Sequence, residues 1–237
     1  MDAKSQAIRD NFEKLNFRNQ LVWLNAGNPA GRIQIELCER ILDEFPEDKL
    51  VGLEIGSAYG GGVEFLAKCW YGRGKVYGYD TFEGHPRDLA DNQDDKEAWC
   101  MDIWYDNGKH VPQLNAKCLD YNYQRKILDD QLLNNVTLVK GRINSHSFDD
   151  IKQIHFAMID LDLIKPTVVA YNAIKDKFVP GAYLMLHDSL SPQHLPKIYH
   201  FVYDVVVKDG RWNEINDTWN EIQTVAGMVT VLKRKIR

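Results

Sequence analysis

Apolar residues occur along this chain in short runs that alternate with stretches of helical periodicity. Ile33, Leu37 and Ile41 recur at the spacing of one helical face, and Pro46 follows that stretch. Strand-like apolar runs, each bounded by turn residues, occupy residues 50–56, 75–80, 136–139, 155–159 and 182–186. Helical stretches are predicted at residues 63–68, 166–178 and 196–207. This alternation predicts βαβ units and a mostly parallel, doubly wound sheet.

Turn-forming residues place the boundaries of the later elements. Pro166 suits the first position of a helix, because its missing N–H is not needed there. Pro180 and Gly181 form a turn signal, so we expect them to lead the chain into the following strand. Two more strands are predicted around residues 215–219 and 225–232, separated by a short polar turn.

The length of the chain bounds its domain organisation. A chain of 237 residues can form one α/β domain with a sizeable core. We therefore predict a single domain over residues 1–237, with an N-terminal helical cap at 1–49. Residues 84–131 are polar, weakly periodic and dotted with aromatic side chains such as Trp99 and Trp104. Long insertions of this kind are usually functional, so we expect a substrate lid there.

The overall charge and composition exclude several classes of protein. The chain has 29 basic and 34 acidic residues, which gives a net charge of −5. Nucleic acid is therefore an improbable partner, because phosphate binding needs clustered basic residues. The four cysteines form no CxxC pair, which argues against a zinc cage. There is no signal-peptide pattern and no apolar run of membrane-spanning length, so we expect a cytoplasmic protein without a membrane partner.

A glycine-rich turn follows the first strand-like run. Its glycines include Gly56 and Gly60, and the helix start behind them offers free N–H groups to a ligand. Asp80 ends the next strand, where a carboxylate can accept hydrogen bonds from ribose hydroxyls. Ala58 breaks the dinucleotide spacing G-x-G-x-x-G, and Glu54 would repel a pyrophosphate but could hold an ammonium group. A ligand with a ribose and an amine but no phosphate, such as S-adenosylmethionine (SAM), fits these residues better than a dinucleotide does. The other interpretation is a plain strand-to-helix turn without a ligand.

Three segments carry a resemblance to a known class of enzyme. Residues 53–61, LEIGSAYGG, resemble the SAM-binding motif of class I methyltransferases, especially those of the catechol O-methyltransferase type. Residues 76–86 and 159–167 are similar to motifs of macrocin O-methyltransferase-like enzymes, the TylF family. The resemblance implies a seven-stranded, mostly parallel Rossmann-like sheet that binds SAM. With the residue pattern, it predicts cofactor contacts by Glu54, Gly56, Ser57, Tyr59, Gly60, Asp80, Thr81, Phe82, Ile143, Asn144 and Asp160.

Acidic residues and a histidine follow two further strands. Asp160 ends one predicted strand, and His187 and Asp188 end the next. Parallel neighbours would bring these side chains together at one edge of the sheet, and oxygen donors there suit Mg²⁺. The resemblance implies metal binding by Asp160, His187 and Asp188, and catalytic roles for the first two. Asp162 is either part of this cluster or a cap for the helix that follows.

His187 departs from the family pattern, which has a second aspartate at that position. An imidazole suits Mn or Fe better than Mg, so the identity of the metal stays open. His187 could instead act as the general base. The lysine base of the catechol type has no counterpart, because Leu163 stands in its place.

We therefore predict a SAM-dependent O-methyltransferase that acts on a hydroxyl of a small molecule, a sugar or a natural product, with help from a divalent metal. The resemblance also suggests a homo-oligomer. Two alternatives remain: a metal-dependent enzyme of the cephalosporin hydroxylase type, and a degenerate protein that binds SAM without turnover. A nicotinamide-dependent oxidoreductase is disfavoured by Glu54 and by the glycine spacing.

Overall fold

The computed structural model describes most of the chain. The described residues are 3–14, 29–46, 49–58, 60–84, 120–187, 189, 195–214 and 229–236. No helix among them is both long enough and apolar enough to cross a bilayer. Predictions for other residues, including Tyr59, Asp188 and residues 85–119 of the expected lid, lie outside this described part.

Seven strands in the described residues form one sheet. They are β1 (Leu50–Ile55), β2 (Gly74–Asp80), β3 (Val136–Lys140), β4 (Ile154–Ile159), β5 (Phe178–His187), β6 (Trp212–Glu214) and β7 (Val229–Arg234). The spatial order is β3-β2-β1-β4-β5-β7-β6. The first five strands in this order are parallel, and β7 runs antiparallel to both of its neighbours. The predicted doubly wound, mostly parallel seven-stranded sheet is confirmed.

Helices cover both faces of this sheet. They are α1 (Ala3–Glu13), α2 (Pro29–Glu44), α3 (Gly61–Cys69), α4 (Tyr121–Asp130), α5 (Ile164–Ile174) and α6 (Pro196–Phe201). A π-helical turn and a 3₁₀ turn extend α6 as far as Asp209. One buried cluster packs α1 to α4 against the first face, and a second packs α5 and α6 against the other. α4 occupies the end of the segment 84–131, so this part of the expected lid is a crossover helix packed on the core.

The segment between α5 and β5 differs from its predicted boundaries. Helix α5 begins at Ile164, which puts Pro166 at its third position, and β5 already begins at Phe178. Pro180 and Gly181 lie inside β5, where the pairing with β4 shifts register and Gly181 has a φ of +84°. At a bulge, a strand tolerates both a residue without an N–H and a residue of left-handed conformation. Pro180 and Gly181 therefore interrupt the pairing of β5 with β4 without ending β5.

The strand order of the sheet reverses between β1 and β4, because β2 and β3 lie on one side of β1 and β4 to β7 on the other. In open α/β sheets, ligands bind beyond the carboxyl ends of the strands at this switch point. Three non-glycine residues just beyond β1, β2 and β4 have positive φ values: Ala58 at 42°, Phe82 at 55° and Asp162 at 56°. Strained backbone of this kind clusters at binding sites. The switch point is therefore the place to look for chemistry.

Candidate functional site

Glu54 is a buried carboxylate at the end of β1. Its side chain lies on the face covered by α2 and α3, and the residue is 4% exposed. Burial is the main cause that raises the pKa of this carboxyl group well above its usual value, followed by the nearby charge of Asp160 and, less strongly, that of Asp80. The backbone N–H of Val63 donates to Glu54 and opposes this shift. Glu54 Oε2 has no hydrogen-bond partner among the described residues.

Two glycines of the turn are explained by protein contacts. A Cβ at Gly56 would lie 1.8 Å from the backbone oxygen of Asp160, and Gly56 has a φ of +90°. A Cβ at Gly62 would lie 2.5 Å from Glu54 Oε1. Gly56 therefore lets β1 and β4 end side by side, and Gly62 leaves space for the buried carboxylate.

The turn itself presents unpaired polar groups. Ser57 is 2% exposed, and its Oγ has no hydrogen-bond partner among the described residues. Gly60 stands at the N-cap of α3 with a φ of +77°, and no side chain caps the helix. Free N–H groups at a helix N-terminus bind carboxylates and phosphates. The predicted contacts Ser57 and Gly60 thus lie beside Glu54 at one end of α3.

Asp80 holds together the two loops that follow β1 and β2. Its Oδ2 accepts a hydrogen bond from the Ala58 N–H at 2.8 Å, and its Oδ1 accepts one from the Phe82 N–H at 2.8 Å. Thr81 Oγ1 donates to the backbone oxygen of Gly84 at 2.7 Å and closes the second loop. Both oxygens of a carboxylate are acceptors, which is the chemistry that ribose hydroxyls require. Its loop-bridging role was not predicted from the sequence.

Phe82 and the loop after β3 occupy different environments. Phe82 is buried and packs edge-on against Tyr121 of α4, with ring centroids 5.3 Å apart. Ile143 packs against the second core cluster. Asn144 is engaged within its own loop, where its Oδ1 accepts from the His146 N–H at 2.9 Å. The side-chain oxygen of Asn144, a predicted cofactor contact, therefore already accepts a hydrogen bond within its own loop.

Sequence reasoning missed Gln124 of α4. Its side-chain amide donates to the backbone oxygen of Ala58 at 2.5 Å, and the residue is fully buried. The glycine-rich turn is thus held from one side by Asp80 and from the other by α4. A glutamine in an amphipathic helix carries no signal of such a role, because the contact joins residues 66 positions apart.

Asp160 and His187 meet across the ends of β4 and β5. The preceding residues Ile159 and Leu186 are paired in the sheet, as expected for adjacent parallel strands. His187 Nδ1 lies 3.2 Å from Asp160 Oδ1, with side-chain exposures of 12% and 28%. Asp160 also donates its backbone N–H to Ile55 of β1, so its position is fixed on both sides.

The Asp160–His187 pair suits two kinds of chemistry. A carboxylate beside an imidazole can orient it as a general base. Two adjacent ligands of one octahedral ion are also about 3 Å apart when each bond is about 2.1 Å long. Among the described residues there is no group of three side chains that could hold a metal ion, and the third predicted ligand, Asp188, lies outside them. The pair therefore supplies two of the three expected donors.

The residues at the switch point fit the methionine end of SAM. The α-ammonium and α-carboxylate groups of this cofactor need acceptors and donors, respectively. Glu54 Oε2 and Ser57 Oγ are buried acceptors without described partners, and the uncapped start of α3 offers backbone donors. The turn lacks the G-x-G-x-x-G spacing of a dinucleotide site, because Ala58 stands where the second glycine would be, and Glu54 would oppose a pyrophosphate.

The strand order with an antiparallel β7 is the Rossmann-like fold of SAM-dependent methyltransferases. No protein-family model matches the chain, and no curated protein matches its sequence. The similarity to solved structures is one of fold, at 12–16% sequence identity.

Three of these structures show how similar the chain is to solved methyltransferase structures in sequence identity, coverage and TM-score. The O-methyltransferase NovP is 14% identical with a TM-score of 0.63, over 98% of this chain and 97% of NovP. The calicheamicin methyltransferase CalS11 is 16% identical with a TM-score of 0.60, over 97% and 91% of the two chains. An rRNA methylase from Streptococcus thermophilus is 15% identical with a TM-score of 0.53, over 90% and 99%. A Streptococcus mutans structure of the same fold holds S-adenosylhomocysteine (SAH).

Proposed function

We propose that this protein is a SAM-dependent O-methyltransferase that transfers a methyl group to a hydroxyl of a small molecule. The observation that carries the proposal is a pair of buried acceptors, Glu54 Oε2 and Ser57 Oγ, which have no hydrogen-bond partner in the described part of the chain and lie at the start of α3. Unmet buried acceptors cost free energy, and a bound ligand with donors can offset that cost. Their place at the switch point of a methyltransferase fold favours SAM as that ligand.

The cofactor is proposed to lie along the ends of β1, β2 and β3. Glu54 binds the α-ammonium group, and the backbone from Gly56 to Gly60, with Ser57, binds the methionine carboxylate. Asp80 accepts hydrogen bonds from the ribose at the carboxylate that also binds the Ala58 and Phe82 N–H groups. The remaining predicted contacts complete the adenosine site; these are Tyr59, Thr81, Phe82, Ile143 and Asn144.

His187 and Asp160 are proposed to handle the acceptor hydroxyl. The hydroxyl oxygen attacks the sulfonium methyl, the carbon–sulfur bond breaks, and its electron pair converts the sulfonium into the thioether of SAH. The hydroxyl proton passes to Nε2 of His187, while Nδ1 faces Asp160 Oδ1 at 3.2 Å. Asp160 orients the ring and stabilises the imidazolium that forms. Much of the acceleration comes from holding oxygen, methyl and sulfur in line.

A divalent metal is the alternative to His187 as the base, because an imidazole that binds an ion through its lone pair cannot also accept a proton. Asp160, His187 and Asp188 would hold it, and a bound ion lowers the pKa of a coordinated hydroxyl. The base and the metal interpretations differ in one measurable respect. If the metal is required, dialysis against a chelator abolishes methyl transfer, and Mg²⁺ or Mn²⁺ restores it. If transfer is insensitive to the chelator, His187 acts as the base without a metal.

The acceptor is proposed to be a sugar or another polyhydroxylated compound. One structural neighbour, CalS11, is a TDP-rhamnose 3′-O-methyltransferase, which favours this class. Another neighbour is an rRNA methylase, but a net charge of −5 disfavours a polyanionic acceptor here. The expected homo-oligomer and cytoplasmic location remain proposals.

The decisive experiment is a calorimetric titration of the full chain with SAH, with and without Mg²⁺ or Mn²⁺. We expect micromolar binding, and Glu54→Ala should weaken it at least tenfold. Glu83→Ala, which removes an exposed carboxylate from the same edge, is the matched control and should bind as the wild type does. If SAH produces neither heat nor a thermal shift under any metal condition, the methyltransferase proposal is wrong. Iron content and oxygen consumption would then test the hydroxylase alternative.

A further inference from the structure

A second buried side chain on the same face of the sheet has an unmet acceptor. Gln34 of α2 is 5% exposed and stands between the apolar residues Ile33 and Ile35. Its Nε2 donates to the thioether sulfur of Met158 at 3.4 Å. Its Oε1 has no hydrogen-bond partner among the described residues. Gln34 was not singled out by any sequence motif.

Met158 links Gln34 to the strand pair that carries Glu54. Met158, which Gln34 contacts, is the residue of β4 paired with Glu54 of β1. Paired residues of adjacent parallel strands project to the same face, and Met158 belongs to the core cluster beneath α2 and α3. The carboxylate of Glu54 lies against Gly62 of α3 on that face. One strand spacing, about 4.8 Å, separates the backbone of Glu54 from that of Met158, whose side-chain sulfur Gln34 contacts.

An ammonium group matches this pair of acceptors. It has three N–H donors and a positive charge, whereas a carboxylate and an amide oxygen are both acceptors. The nearby carboxylates of Asp160 and Asp80, which disfavour an ionised Glu54, favour the binding of a cation beside it. A neutral donor such as a hydroxyl would satisfy one oxygen but would leave the charge of Glu54 uncompensated.

We propose that Gln34 is a further cofactor-binding residue, which accepts a hydrogen bond from the α-ammonium group of SAM together with Glu54. This inference rests on the proposed function and makes it more specific. Gln34 thereby selects ligands that carry an amino-acid end over adenosine thioethers that lack the amine. Its contact with Met158 fixes the amide so that the oxygen stays available.

The test compares two ligands on two proteins. Binding of SAH and of deamino-SAH, in which hydrogen replaces the ammonium group, is measured by calorimetry for the wild type and for Gln34→Met. Methionine has nearly the same shape but no oxygen acceptor. We expect Gln34→Met to weaken SAH binding about tenfold and to leave deamino-SAH binding within a factor of two. Gln6→Met, an exposed glutamine on α1, is the control and should change neither affinity.

A second variant covers the case in which Gln34→Met does not fold. Gln34→Glu keeps an acceptor at the same position, so its preference for SAH over deamino-SAH should equal or exceed that of the wild type. An equal loss for both ligands in Gln34→Met would mean that Gln34 only supports the fold, and an unchanged SAH affinity would also overturn the inference. A smaller preference of Gln34→Glu for SAH over deamino-SAH, relative to the wild type, would also contradict the inference. If the wild type binds neither ligand, the proposed function itself has failed.

Discussion

Glu54 carries the strongest chemical signal of any residue at this site. Its carboxyl group is buried among other carboxylates, and those surroundings raise its pKa well above the ordinary value of 4.5. The ligand-free protein therefore either keeps the group protonated or bears the cost of an ionised, partly unpaired carboxylate. A binding site for a cation explains why this cost is tolerated at the end of a core strand.

The raised pKa predicts a particular dependence of stability on pH. Because the folded protein holds the Glu54 proton more tightly than the unfolded chain, its contribution is most favourable at low pH. That contribution is lost as pH rises above about 4.5. Glu54→Gln should therefore gain stability relative to the wild type above this pH, by up to about 1.4 kcal/mol per pH unit. Urea unfolding without ligand at pH 4 to 8 measures the difference, and a constant difference contradicts the prediction.

Asp80 is the residue whose role the structure enlarges most. Asp80→Ala removes the acceptor for the Ala58 and Phe82 N–H groups as well as for the ribose. We expect SAH affinity to fall at least tenfold, or about 1.4 kcal/mol, and the free energy of unfolding to fall by about 1–2 kcal/mol. Calorimetry and urea unfolding measure the two effects. Unchanged SAH affinity would show that the ribose lies elsewhere.

At the scale of elements, the glycine-rich turn depends on the crossover helix α4. Gln124 donates to the turn at Ala58, and Tyr121 packs against Phe82 in the loop after β2. Helix α4 thus supports both loops that are proposed to bind the cofactor. Secondary structure alone does not produce this support. It requires the β2–α4–β3 crossover, which returns the chain to the sheet beside β2, to place α4 against the turn after β1.

Removal of the α4 contact should loosen the turn without removing any proposed ligand contact. Gln124→Met is expected to weaken SAH binding about three- to tenfold, because the Ala58 carbonyl loses a buried donor. Gln131→Met is the matched control, since Gln131 also donates to a carbonyl but at the far end of the same helix. Equal SAH affinities for the two variants, measured by calorimetry, would mean that α4 does not organise the site.

At the scale of the whole molecule, side chains tie the N-terminal helices to the far half of the sheet. Glu44 at the end of α2 accepts hydrogen bonds from Tyr183 of β5 at 2.8 Å and from Lys233 of β7 at 2.7 Å. Gln34, on the same helix, contacts β4. The cap predicted over residues 1–49 is therefore packed into the domain through α2, and ligand binding at the switch point should stabilise the whole fold.

Mass action sets the size of that stabilisation. A ligand at 100 times its dissociation constant adds about 2.7 kcal/mol to the free energy of unfolding. For a chain of this length, this should raise Tm by about 5–11 °C. Thermal unfolding with and without SAH, monitored by circular dichroism, measures the shift. A ligand that binds in calorimetry but leaves Tm unchanged would contradict a site built into the core.

The sequence predicted the sheet well. Five of its strands come from apolar runs bounded by turn residues, and the acidic strand ends follow directly from those runs. Prediction failed where tertiary structure overrides local signals. Pro180 and Gly181 indicate a turn, but pairing with β4 carries the strand through them.

Local periodicity was sufficient to locate the ends of the parallel strands, because a short apolar run fixes where a buried strand starts and stops. The positions of Glu54, Asp80, Asp160 and His187 along one edge follow from those strand ends. The hydrogen-bond partners of these polar groups are visible only in the folded chain: Asp80 bridges two loops, while Glu54 and Gln34 each have an acceptor without a partner among the described residues. Hydrogen-bond satisfaction depends on groups brought together from distant parts of the chain, and no local pattern encodes it.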